Sequence, residues 1–179
     1  MTINDSRKSM KLDQAALDAA GKSIGNGAVT PSFTDYREEI IQLLNDALAT
    51  ELVCVLRYKR HYFTATGVNS SKIKDEFLAH ANEEAAHADR LAERIVQLGG
   101  SPNFSPDSLT SRSHADYDES TDLKEMIKSN LIAERVAVES YRQMISLISD
   151  YDSTTRRMLE DILADEEEHA DELSDWLSA

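Results

Sequence analysis

One cysteine, three prolines and six glycines in 179 residues leave this chain few places to be cross-linked or interrupted. The single thiol, Cys54, excludes an intrachain disulfide. Scarce Gly and Pro, with a composition rich in Leu, Ala, Glu, Asp and Arg, favour helix throughout. No apolar run reaches membrane-spanning length and no secretory signal is visible, so the expectation is a cytoplasmic protein with no membrane partner. Positive charge is also in deficit. The net charge of −14 disfavours a general nucleic-acid binder and suits a protein that concentrates cations.

Residues 1–33 mix Asp, Ser, Asn, Gly and Lys around a short Ala-rich helix near Leu12 to Ala20, and are expected to form a flexible arm. Four basic and three acidic residues give the arm +1, leaving −15 for the remainder. A weakly basic arm holding Arg7, Lys8 and Lys11 on so acidic a body predicts weak DNA binding at most.

Residues 34–179 predict a bundle of four long helices. In the first, from about Phe33 to Phe63, Leu44, Leu48, Val55, Tyr58 and Tyr62 form one apolar stripe, and Glu51 falls on it, seven positions from both Leu44 and Tyr58. The second, about Ser71 to Leu98, is closed by Gly99-Gly100-Ser101-Pro102. Its inner stripe carries Glu84 and His87, with His80 as a supporting residue rather than a ligand. A long connection over 99–120 follows. The third helix runs from an N-cap at Ser120 or Thr121 to about Ser149, with Glu134 among Leu123, Ile127, Leu131, Val138, Tyr141, Ile145 and Ile148. In the fourth, Glu166 and His169 share a face with Leu159, Ile162, Leu173 and Trp176.

The fold expected is therefore all-α, a four-helix bundle with one long crossover between its second and third helices. Residues three apart share a helix face, so each Glu-x-x-His offers a carboxylate and an imidazole pointing the same way. Glu84 follows Glu51 by 33 positions and Glu166 follows Glu134 by 32, so the two hairpins carry these groups at matching heights. Carboxylates on a core face are costly unless paired or coordinated. Two divalent cations would cancel the charge of the four Glu, making Glu51, Glu84, His87, Glu134, Glu166 and His169 the candidate ligands.

The densest motifs are Glu51-Leu52-Val53 with Tyr58, Glu84-Ala85-Ala86-His87-Ala88-Asp89-Arg90 with Glu93-Arg94-Ile95, and Asp165-Glu166-Glu167 with His169. On these, about residues 35–177 resemble bacterioferritin and the Dps-like mini-ferritins, within the ferritin-like superfamily. The resemblance implies two iron ions per subunit, with manganese or zinc as alternatives. It makes Glu84 and Glu166 the bridges, Glu51 and Glu134 the terminal ligands, and His87 and His169 the ligands of one iron each. Tyr58 would be the tyrosine beside the metals, and Asn130 stands at a position open to an acid in relatives. Bacterioferritin's haem-ligating methionine directly follows the first motif's Glu; here Ala85 offers no sulfur, so no haem is expected.

The function implied is that of a ferroxidase, oxidising Fe(II) with H2O2 or O2 and storing Fe(III) in a homo-oligomeric shell. The chain stops where a fifth short helix would start, which points to 12 subunits over 24. A non-storage di-iron or di-manganese peroxidase or catalase would keep the same residues, as would a non-enzymatic DNA-protecting bundle. Cys54 reads as a small buried hydrophobe in preference to a redox group.

Overall fold

The computed structural model describes residues 11–33, 36–67 and 70–178, and every regular element among them is helical. A short helix, α1 (Gln14–Lys22), is N-capped by Asp13 and buries no residue. The bundle consists of α2 (Arg37–Thr64), α3 (Ser70–Gln97), α5 (Leu123–Ile148) and α6 (Ser153–Ser178), with a single-turn helix, α4 (Leu109–Arg112), in the crossover. None of these helices is long and apolar enough to cross a membrane.

Local chemistry sets the helix ends. After α3, Gly99 takes φ 80° and the chain closes with Gly100 N–H on Ile95 C=O and Gly99 N–H on Val96 C=O, both 2.9 Å. Any side chain at Gly100 would meet Ile41, since a Cβ there would lie 2.8 Å from its Cγ2. The third bundle helix is capped by Asp122, which accepts from Lys124 N–H and Glu125 N–H, rather than by Ser120 or Thr121. A carboxylate has both the reach and the charge for a helix N-terminus, and Ser120 is engaged with Asp118 instead. Asp152 begins α6, accepting from the N–H groups of Thr154 and Thr155 and from Arg94 at 2.8 Å. Burial pushes this carboxyl up, but its Thr155 and Arg94 hydrogen bonds outweigh that and hold it below the usual range.

The helices pair as two antiparallel hairpins, α2–α3 and α5–α6. The connection between them is tied down along its length. Arg112 donates to Asn45 C=O and Asn103 C=O, Arg57 to Asp116 C=O, and Arg60 to Glu119 C=O and Ser120 C=O, at 2.7–3.0 Å.

Two apolar clusters fill the bundle. Leu44, Leu48, Leu91, Ile95, Met144, Leu159 and Ile162 pack one end, and Phe77, Ala81, Met126, Ile127, Ala133 and Leu173 the other. Each large aliphatic side chain so buried contributes about 1.5–3 kcal/mol. The core face of α5 is rotated from the expected stripe: Met126, Asn130, Ala133, Ala137 and Met144 are buried, while Leu123, Leu131, Val138 and Ile145 are only partly so.

The expected boundary at 33/34 is not a clean one, because Val29 is buried and Phe33 packs on the first cluster. Arg7 and Lys8 of the expected arm lie outside the described residues.

Candidate metal centre

Between the two apolar clusters lies a slab of acid. Glu51 on α2, Glu84 on α3, Glu134 on α5 and Glu166 on α6 are each at most 1 % exposed, and His87 and His169 are also buried. All six residues singled out from the sequence are brought together here. They form two overlapping sets, Glu51, Glu84, His87 and Glu166, and Glu84, Glu134, Glu166 and His169, with ligand atoms within 4.8 Å of one another. Glu84 and Glu166 belong to both.

The two histidines present Nδ1 to the acids. His87 Nδ1 lies 3.1 Å from Glu166, 3.3 Å from Glu84 and 3.7 Å from Glu51; His169 Nδ1 lies 3.6 Å from Glu84. Their Nε2 atoms face outward to carboxylates on the opposite hairpin. His87 Nε2 donates to Asp165 at 3.1 Å and His169 Nε2 to Glu83 at 2.8 Å. A carboxylate on one imidazole nitrogen fixes the tautomer and leaves the other free for a metal.

Two tyrosines complete the symmetry. Tyr58 on α2 donates its hydroxyl to Glu134 on α5, and Tyr141 on α5 donates to Glu51 on α2. Burial, together with Glu134 beside Tyr58 and Glu51 beside Tyr141, pushes both phenols up and keeps them protonated. These crossed pairings require α2 and α5 to run antiparallel, as do the crossed Asp165–His87 and Glu83–His169 pairs for α3 and α6.

Five buried carboxylate oxygens and one imidazole nitrogen nevertheless have no hydrogen-bond partner: Glu51 Oε2, Glu84 Oε1, Glu134 Oε2, both carboxylate oxygens of Glu166, and His169 Nδ1. Buried acceptors without donors cost about 1–3 kcal/mol each. The electrostatics carry the same message. Burial and the neighbouring Glu84 push Glu51 far up, and burial with Glu84, Glu51 and Glu134 does the same to Glu166. Burial opposes charge on His87 and His169, yet the carboxylates around them raise His87 to about 10 and His169 to about 9. Four carboxylates outnumber the two imidazoles, and two divalent cations held by this set of carboxylates and imidazoles would supply the missing positive charge.

Other polar groups surround the slab. Arg57, fully buried, donates to Asn130 Oδ1 at 2.7 Å and to Cys54 Sγ at 3.3 Å. The Asn130 amide then donates to His61 Nδ1 at 3.0 Å, and His61 Nε2 to Asp118 at 3.1 Å. Cys54 is buried, and its burial pushes the thiol up, away from the reactive thiolate. His80 Nδ1 lies 3.1 Å from the Tyr58 hydroxyl.

Sequence reasoning overlooked Glu83, Asp165 and Tyr141. The signal was present: an acid precedes the Glu of both Glu-x-x-His motifs, and Tyr141 follows Glu134 by the same seven positions that separate Tyr58 from Glu51.

Comparison with known proteins shows the family. Residues 41–179 match the ferritin family, described as a ferritin-like domain. Bacterioferritin of Brucella melitensis is 31% identical over 142 residues, covering 78% of this chain and 83% of the relative. The DNA protection during starvation protein of Halobacterium salinarum is 27% identical over 172 residues, covering 94% and 93%. The dodecameric thioferritin of Bacteroides fragilis, a bacterioferritin-related protein, superimposes with a TM-score of 0.76 at 30% identity, over 79% of this chain and 86% of that one. With its antiparallel helix pairs, long crossover and acid-lined midsection, the chain belongs to the ferritin-like family and is related to bacterioferritin and Dps.

Proposed function

We propose that this member of an iron-storage and detoxification family is itself a ferroxidase, with Fe2+ as substrate and H2O2 or O2 as oxidant. The observation that carries the reading is the set of six unpartnered carboxylate and imidazole atoms sealed between two apolar clusters. Glu84 and Glu166, shared by both quartets, would bridge two iron ions; Glu51 with His87, and Glu134 with His169, would complete one ion each. Manganese or zinc would satisfy the same donors, so the metal preference is part of the test.

The chain's own groups hold the geometry and manage protons. Tyr58 and Tyr141 fix the outer carboxylates, and Asp165 and Glu83 orient the imidazoles. Iron entry displaces the protons that the acids and imidazoles otherwise share. Two Fe(II) give up one electron each; the O–O bond of peroxide takes both and, with two protons, leaves as two waters. Dioxygen would take the same electrons and protons to become peroxide. Carrying the redox work on iron asks the protein only to place and charge-balance the ions.

One bundle encloses no mineral cavity, so storage requires a closed homo-oligomeric shell. The dodecameric Bacteroides fragilis protein, at 30% identity, favours twelve copies over 24. Anaerobic Fe(II) titration of the metal-free protein, followed by a pulse of peroxide or oxygen, should show about two ions bound and oxidised per chain. Binding of one ion or none refutes the dinuclear reading. Native mass spectrometry should give a particle of about 240 kDa, twelve times the 20.0 kDa chain. A stable dimer would remove storage and leave a di-metal peroxidase or catalase.

A further inference from the structure

The first helix stands apart from the bundle: α1 is nine residues long, is capped by Asp13, and buries none of its side chains. A helix so short is marginal by itself, because most helical stability in proteins comes from packing an apolar face. Such a face is present. Leu17 and Ala20 lie on one side with Ile24 a turn further on, while Gln14, Asp18 and Lys22 lie on the other. In the single chain Leu17 is 49 % exposed and Ile24 89 %.

The bundle carries a matching surface. Along the outer side of α5, Ile132, Val136 and Leu147 recur at helical spacing, and with Leu43 on α2 they line a groove of about 950 Å³. Ile132 is 55 % exposed and Leu147 64 %. A contiguous apolar strip left in water marks a place where another surface docks. From Ile132 to Leu147 the strip runs for about 22 Å, against about 14 Å for α1, so the helix fits within it. Charges match as well. Arg135 on α5 and Asp171 on α6 also line the groove, and neither has an ion-pair or hydrogen-bond partner among the described residues. On α1, Lys22 is likewise unpaired and Asp18 is met only by the neutral amide of Gln14.

We propose that α1 of one copy of this chain lies in the α5 groove of a neighbouring copy, with its apolar face inward, Asp18 towards Arg135 and Lys22 towards Asp171. A second copy is the occupant because the chain's own α1 leaves the groove uncovered: Leu17, Ile132 and Leu147 are exposed together. The root of the arm is fixed, with Val29 buried and Phe33 packed on the bundle, so α1 projects from a set point. Each copy gives its helix to one neighbour and receives another's, a head-to-tail contact that closes into a ring when the rotation between copies allows. The inference rests on the self-association in the functional reading above and is independent of the iron chemistry.

The test is amide hydrogen exchange, read by mass spectrometry on the full chain in its assembled state. Amides of α1 should exchange about tenfold or more slowly there than in a peptide of residues 11–27. Ile132→Ser/Leu147→Ser, changed only at exposed positions of α5, should remove that protection from α1 while the bundle helices keep theirs; Leu17→Ser should do the same. Arg135→Glu should weaken the protection, and Asp18→Arg added to the same chain should restore it. Free exchange of α1 in the intact assembly, or protection that survives Ile132→Ser/Leu147→Ser, would overturn the docking. Protection that persists in single chains on dilution would seat the helix in its own chain's groove and overturn it too, and no recovery in Asp18→Arg/Arg135→Glu would overturn the stated seating. Oxidation of two Fe(II) per chain by a protein whose α1 exchanges freely would sink the docking and keep the ferroxidase, and a docked α1 without iron oxidation would do the reverse.

Discussion

Asp165 on α6 holds His87 on α3 by a 3.1 Å hydrogen bond, and the exchange is returned when Glu83 on α3 holds His169 on α6 at 2.8 Å. Each hairpin thereby orients the other's imidazole. Asp165→Asn and Glu83→Gln should weaken metal binding by about 10–100-fold through loss of ring orientation and basicity, with the helical content unchanged. Competition titration against a chelator measures this, and equal affinities in variant and parent would show that the outer carboxylates are idle.

Removing a bridging acid should separate chemistry from folding. Glu84→Ala or Glu166→Ala is expected to abolish rapid Fe(II) oxidation in stopped-flow measurements. Thermal stability of the metal-free variant should hold or rise, since one charge leaves a crowded set of buried acids. Oxidation at the parent rate in both variants would dismiss the proposed bridges.

Acid should loosen the fold through His61. Burial drives this imidazole down to about 4, and the Asn130 amide already donates to its Nδ1. The unfolded chain, with an ordinary histidine near 6.5, then binds more protons than the folded one between those values. Stability therefore falls as pH drops from 6.5 towards 4, by on the order of 3 kcal/mol at the acid limit. His61→Gln should flatten that part of a denaturation-versus-pH profile, although it starts from lower stability at neutral pH. A parallel profile would assign the acid sensitivity elsewhere.

Haem is not expected in protein purified from haem-sufficient cells. Ala85 occupies the position of the haem-ligating methionine and presents only a methyl group. A Soret band that survives gel filtration would reveal another axial ligand.

DNA binding should be weak and vanish at physiological salt, because −14 of net charge repels phosphate. A salt-resistant shift on a gel would overturn this and point to Arg7, Lys8 and Lys11.

The sequence made the six central residues legible because each contradicts its surroundings: an acid or imidazole on an apolar stripe signals itself. Tyr141 did not, since a tyrosine on a core face is unremarkable until the opposite helix shows a carboxylate at its hydroxyl. Glu83 and Asp165 were hidden for the opposite reason: half-exposed acids on an acidic surface look like solubilising residues. The four helices followed from periodicity. The core face of α5 differs from its Leu and Ile stripe because Met126, Asn130, Ala133, Ala137 and Met144 fill the interior in place of Leu123, Leu131, Val138 and Ile145.

The arginine-bound crossover has a mechanical consequence. It is the covalent link between the hairpins, and Arg57, Arg60 and Arg112 clamp it to the flank of α2. Sliding one hairpin along the other by a single turn, about 5.4 Å, would pull Tyr58 from Glu134 and Tyr141 from Glu51 together. The clamped segment therefore acts as a gauge block that sets the vertical register of the two halves, so that four carboxylates from four helices arrive at one level before any ion is there to draw them in.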